Sequence, residues 1–268
     1  MMTDAELADL CRAKTLLENP GLAARLANVV GSPIEKGFKM LPAGWSETVQ
    51  KATYSALLKA LKFAVITLEK QKTGPSADLL HKILVGTSGG IGGAFGLVLL
   101  PLELPVSTAI MLRSIADIAR SEGQNVSALE TKLACLEVFA LGGKTPGDDS
   151  TENGYWAVRA ALAKAVSEAA AYLTQRGLAE ETAPAIVRLI SAVASRFGVV
   201  VSEQVAARTI PVAGAVAGSS LNVLFMAHFQ KMARGHFTIR RLEAKYGTAE
   251  VQDIYRSIAL KIAAPANP

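Results

Sequence analysis

Three sets of residues in this 268-residue chain have the types and spacing to do chemistry. The first is Gly86-Thr87-Ser88-Gly89-Gly90, a GxSxG match preceded by Ile83-Leu84-Val85. In hydrolases such a strand-to-helix turn exposes the serine as a nucleophile, which needs a histidine base and an acid to orient it. His228 or His236 lies downstream, with Asp117 or Asp253 as the acid. That scaffold surrounds its serine with parallel strands, which the flanking sequence does not offer, so a structural role for Ser88 is expected. The second set centres on Glu103, clamped between prolines in LPLELP. A carboxylate in so apolar a setting is costly unless paired or protonated. Arg113 and Asp117 follow at i, i+4 spacing, and Arg208 precedes a second apolar stretch. A Glu103–Arg pair linking two hairpins is the plainer expectation, and a proton-holding acid lining a ligand pocket the sharper one. The third set is His228 and His236, on one face of a helix if that helix survives Gly235. Metal-binding helices favour i, i+4 spacing with a third ligand nearby, so a helix-end or interface histidine is expected, and neither metal nor other cofactor.

The glycine run around Ser88 excludes two phosphate cradles. A P-loop needs a lysine and a hydroxyl after its second glycine, and none stands there; a dinucleotide fingerprint counted from Gly90 meets Phe95 at its third glycine position. Gly86 and Gly90, Gly89 and Gly93, and Gly92 and Gly96 instead form overlapping GxxxG pairs, repeated by Gly214 and Gly218. On a helix these leave a side-chain-free groove into which a second helix, or lipid, can settle. Each glycine costs an exposed helix roughly 1 kcal/mol against alanine, so close packing or lipid must offset the loss.

The elements that must position these residues read as helices. WSETVQKATYSALLKALKFAVITLEK places Ser46 as an N-cap and recurs with Val49, Ala52, Ala56, Leu57, Ala60, Leu61, Ala64 and Leu68 at helical spacing. SALETKLACLEVFALGG opens with the capping box Ser127/Glu130 and stops at Gly142. YWAVRAALAKAVSEAAAYL stripes Val158, Leu162, Ala165, Ala169 and Tyr172, leaving Arg159 off the stripe. Thr182 and Pro184 open a further helix, in which FGVVVSE is strand-like in composition but too short to build a sheet, so a helix or kink is expected there. QKTGPSAD (71–78) and KTPGDDSTENG (144–154) are loops. The architecture expected is all-α: a multi-helix bundle around two glycine-rich apolar hairpin segments, 83–102 and 209–227, in one domain over 1–268 with 144–154 as a candidate break. Pro101 and Pro105 are expected to end the first apolar run, the chain beyond Pro101 turning back.

Composition sets the surroundings. Half of the residues are hydrophobic, 19% are charged and only 6% aromatic, so small and aliphatic side chains supply the apolar mass. Mean hydropathy is +0.30 and the isoelectric point about 9.2. The +5 net charge gathers toward the end, where residues 228–268 hold seven basic and three acidic side chains. Lys231, Arg234, Arg240 and Arg241 make a basic face suited to phospholipid headgroups or to acidic helices of a partner, or simply a solvated face. No nucleic-acid partner is expected, since the tail lacks interleaved stacking aromatics and any reading motif. Cys11 and Cys135 stand apart and read as buried thiols of a reducing compartment. The start, MMTDAELADLCRAK, is acidic and shows no secretory apolar core, so the chain is expected in the cytoplasm, at the inner face of the cytoplasmic membrane.

Three stretches taken in order, LPLELPVSTAIMLRSIADIARSEG, ACLEVFALGG and SRFGVVVSEQVAARTIPVAGAVAGSSLNVLFMAHFQKMARGHFTIRRLE, resemble the bacterial EcsC family over roughly residues 20–256. That family is associated with an ABC-type exporter operon. The resemblance implies a mainly helical, membrane-related protein without a settled reaction. It singles out Glu103, Pro105, Arg113, Asp117, Arg196, His228, Gln230, Arg234, His236 and Arg241 as motif positions, while Gln204 and Arg208 depart from the family pattern. The function expected is therefore that of an accessory protein packing against membrane lipid or a membrane partner, an ABC-type exporter among them. The alternatives are a hydrolase of lipid-like or ester substrates, built on Ser88 or on Glu103 with the histidines, and a soluble binder of hydrophobic small molecules.

Overall fold

The computed structural model describes residues 2–18, 22–67, 96–143, 154–178, 180–210 and 216–258. Among these every regular element is a helix: α1 (Asp4–Glu18), α2 (Leu22–Val30), α3 (Ile34–Met40), α4 (Trp45–Thr67), α5 (Gly96–Ser121), α6 (Leu129–Leu141), α7 (Gly154–Arg176), α8 (Pro184–Thr209), α9 (Val216–Tyr246) and α10 (Thr248–Ser257). The fold class is all-α. The glycine hairpin positions Gly86, Gly89, Gly90, Gly92, Gly93 and Gly214 lie outside the described residues, as do Ser88, Leu68 and loops 71–78 and 144–153. Gly96 opens α5 and Gly218 falls in the first turn of α9.

Two helices organise the core. Buried residues of α8 recur at Ile186, Leu189, Ile190, Val193, Phe197, Val200, Val201 and Val205, and around them pack α2, α3, α4, α6 and α7. The FGVVVSE segment is thus one uninterrupted helical stretch. The second organiser, α9, meets α1, α2, α5, α6 and α10. Phe139, Phe197, Phe225 and Phe229 interlock where α6, α8 and α9 meet, with ring centroids 4.9 Å (Phe139–Phe197) and 5.3 Å (Phe225–Phe229) apart. The enclosed α6 buries every residue from Thr131 to Ala140, on all its faces. Lys132 remains in it because its ammonium donates to the Val65 carbonyl (3.3 Å) in the last turn of α4.

Helix starts differ from the expected ones for local reasons. Gly44, at φ +78°, turns the chain so that α4 begins at Trp45, placing Ser46 inside the first turn instead of at the cap. At α6 the N-cap is Ala128, with no side-chain bond, while the Ser127 N–H donates to Asn125 Oδ1 (3.1 Å); Ser127 and Glu130 form no capping box. A reciprocal box does exist at α1, where the Thr3 N–H donates to Glu6 Oε2 (3.0 Å) and the Glu6 N–H to Thr3 Oγ1 (3.3 Å).

The largest correction concerns the prolines. α5 runs from Gly96 to Ser121 with Pro101 and Pro105 inside it, so the chain does not turn back there. Each interior proline removes a backbone bond and costs about 3 kcal/mol in isolation. Here Leu100, Leu104, Thr108, Met111, Leu112, Ile115 and Ala119 are buried at helical spacing, mainly toward α4. That stripe offsets the lost bonds. The other face of α5 stays open: Leu102 is 72% exposed and Val106 53%, and on α4 Ile66 is 63% exposed.

Candidate functional site

The open face of α5 and the adjoining side of α4 form a groove of about 450 Å³. Phe63, Leu102, Pro105, Val106 and Ile110 give it apolar walls, and two cations, Lys59 and Arg113, line it as well. Positions 101/102, 105/106, 109/110 and 113 recur every four residues, so one ridge of α5 forms a continuous wall of about 18 Å at 1.5 Å per residue. Arg113 stands at one end of that wall and Pro101 at the other. Among the described residues neither Lys59 nor Arg113 has a carboxylate partner.

The polar residues expected beside this apolar run do not gather into one cluster. Glu103 turns away from the groove and accepts from Arg208 Nη1 (3.0 Å), tying α5 to α8 through a part-exposed pair. Arg208 also donates through Nη2 to Asn222 Oδ1 (2.6 Å), which accepts from Gln204 Nε2 (3.1 Å) as well. The two positions that depart from the family pattern thus converge on one amide of α9. Asp117 instead pairs with Arg120 (2.6 Å), and Arg113 lines the groove. Of Glu103, Arg113, Asp117 and Arg208, only Glu103 and Arg208 meet.

α9 runs through Gly235 and buries both histidines, each committed to a separate partner. The His228 Nε2 lies 3.0 Å from the Gly142 carbonyl oxygen and donates to it, which leaves Nδ1 as the unprotonated nitrogen of a neutral ring. Burial lowers its pKa to about 4, against the opposing pull of that bond. His236 is fully buried, with Nδ1 3.1 Å from the Tyr155 hydroxyl. Arg159 Nη1 donates to the same hydroxyl (3.3 Å) and to Glu243 Oε1 (2.8 Å). His236 Nε2 then faces Glu137 Oε2 at 3.8 Å, beyond hydrogen-bond reach. Burial pushes the His236 pKa far down, which keeps the ring neutral, and pushes the Glu137 pKa up against the pull of Arg240 and Arg159. Burial also lifts the Cys135 thiol to about 12, well away from a reactive thiolate.

Tyr155, Arg159, Glu137 and Glu243 were not anticipated as partners of His236. Arg159, off the apolar stripe of α7, lies with its guanidinium 5.0 Å from the Trp156 ring centroid. A signal for Glu137 did exist: one carboxylate inside ACLEVFAL, a stretch otherwise suited to full burial. Through these contacts the network joins α6, α7 and α9.

The basic face is divided. Lys231 and Arg234 are exposed, Arg241 is held by Asp9 and Glu122 (both 2.8 Å), and Arg240 lies within the electrostatic reach of Glu137 and His236. Gln230 donates to Ser114 Oγ (2.9 Å), Arg196 to the Gly143 carbonyl (3.1 Å), and Asp253 faces Arg256 (3.9 Å). Among the described residues no three His, Cys, Asp or Glu side chains group as a metal set. By length and composition, one described helix, α8, could cross a membrane, although it is also the helix around which the others pack.

Comparison with curated proteins and with solved structures finds no match for this chain. The sequence profile of the EcsC protein family matches residues 6–242, from the first helix through nearly all of α9. The chain belongs to the EcsC protein family.

Proposed function

We propose that this EcsC-family protein is a non-enzymatic accessory protein that sits on a membrane surface, at the inner face of the cytoplasmic membrane, through the open face of the α4/α5 pair. The observation that carries this reading is the exposure of Leu102 and Val106 on the wall of an apolar groove bearing Lys59 and Arg113, with Ile66 of α4 exposed as well. Exposed aliphatic side chains gain by entering the acyl boundary, and nearby cations gain from anionic headgroups. The anchor in this reading is the α4/α5 face; on α9, Arg241 and Lys245 are taken up by acids of the protein itself, while Lys231 and Arg234 stay exposed. The hydrolase alternative has less support, because both histidines are buried and engaged, His236 with the Tyr155 hydroxyl and His228 with the Gly142 carbonyl.

Flotation with vesicles tests the proposal. The protein is expected to rise with phosphatidylglycerol-containing vesicles and much less with pure phosphatidylcholine. Leu102→Asp with Val106→Asp should abolish flotation while leaving the helical circular dichroism unchanged, since both positions are exposed. Wild-type protein that stays at the bottom with every vesicle would refute it. A partner membrane protein, such as an exporter, would then be the surface to seek.

A further inference from the structure

We propose that the α4/α5 groove binds one single-chain anionic lipid, its acyl tail along the α5 wall and its headgroup on Lys59 and Arg113. This deepens the membrane reading and rests on it for the source of the lipid. The argument begins with polarity. An apolar wall of about 18 Å ends at a guanidinium, and the groove's other cation is likewise without a carboxylate partner among the described residues. A purely apolar ligand has no use for these charges, and a polar one has no use for Phe63, Leu102, Val106 and Ile110. An amphiphile with an anionic end uses both. The volume of about 450 Å³ falls within the range of about 300–1,000 Å³ usual for small-molecule sites and favours one chain over two. The part-exposed acids near this region already face cations: Glu103 pairs with Arg208 and Asp117, through Oδ1, with Arg120.

The test is calorimetric titration of the full-length protein with sodium laurate below its micelle threshold, with dodecyltrimethylammonium as the same chain carrying the opposite charge. Saturable one-to-one laurate binding is expected, with the cationic amphiphile much weaker. Arg113→Gln and Lys59→Gln should each weaken laurate about fivefold, as loss of a part-exposed charge-assisted contact does. Ala109→Trp should block the groove; should it lose helicity, the two charge variants carry the test. Equal binding of both amphiphiles, or laurate binding indifferent to all three variants, overturns the proposal. So does absence of laurate binding in a protein that still floats with vesicles, a result that leaves the surface reading intact. If laurate fails and a Val106→Cys thiol, in a Cys11→Ser background, is shielded from maleimide, the groove is filled by residues 68–95 of the chain or by a second copy. That result too overturns the lipid site.

Discussion

Glu203 and His228 make the stability of the protein depend on pH in opposite senses. Glu203, on α8, accepts the Ala23 N–H at the start of α2, yet burial outweighs that bond and raises its pKa from 4.5 to about 7. Between those values the folded protein keeps a proton that the unfolded chain has lost, so this contribution is complete below about 4.5 and disappears as pH rises through 7. For His228, burial lowers the value from 6.5 to about 4, and between them the unfolded chain holds the extra proton. Its contribution is complete above 6.5 and is lost as pH falls through about 4. Glu203→Gln should therefore raise the stability at pH 8 by about 1–2 kcal/mol and change it little at pH 4.5, in urea melts at the two pH values. A variant equally stabilised at both would locate the effect in packing instead. Neither environment was legible beforehand. His228 was visible as a residue, but the Gly142 carbonyl that holds it comes from 86 positions away, and nothing in VVVSEQV distinguishes a buried glutamate from an exposed one. His236 was likewise visible, whereas its partners Tyr155 and Glu137 depend on how three helices meet.

At the scale of elements, Gly37 and Gly235 each let two helices come close, at positions that the glycine spacing of the sequence did not single out. A Cβ at Gly37 would stand 2.0 Å from the Ala206 carbonyl oxygen, and one at Gly235 2.6 Å from Leu17 Cγ. These are backbone-close contacts of α3 with α8 and of α1 with α9. Backbone cannot step aside as a side-chain tip can, so Gly37→Ala should cost roughly 1–3 kcal/mol. Gly198, in the interior of α8, has nothing within 4 Å of its Cβ position. Gly198→Ala should accordingly add about 0.5–1 kcal/mol through helix propensity alone. Paired urea melts check both signs, and a stabilising Gly37→Ala would mean that α3 is not held against α8 in solution. The apolar stripes of α4 and α7 were readable because a buried helix face must recur every three or four residues. Helix starts and the prolines of α5 were not. A cap depends on one φ angle at Gly44, and proline tolerance depends on how much of the opposite face is buried.

Over the whole molecule, charge position matters more than net charge. The basic end read from sequence suggests an anchor, but α9 spends Arg241 and Lys245 internally and leaves Lys231 and Arg234 exposed. Arg241 bridges Asp9 of α1 and Glu122 just past α5, and Lys245 and the Tyr246 hydroxyl both reach Glu6 (each 2.6 Å). Lys14, buried in α1, donates to the carbonyls of Tyr255 (3.0 Å) and Ile258 (2.7 Å), capping the end of α10. The two ends of the chain are thus clasped to each other by side chains that composition alone would assign to solvent or membrane. Arg241→Ala separates the two roles. If the residue is a clasp, the variant loses about 1 kcal/mol, the modest figure expected of two part-exposed pairs, and amides of α1 exchange faster in hydrogen-exchange measurements. Its flotation with phosphatidylglycerol vesicles should stay within about twofold of wild type, because a single remote charge adds little beyond a screening length of about 8 Å. Loss of flotation with stability and exchange unchanged would reverse the assignment, making the end of α9 the membrane contact and the α4/α5 face a bystander.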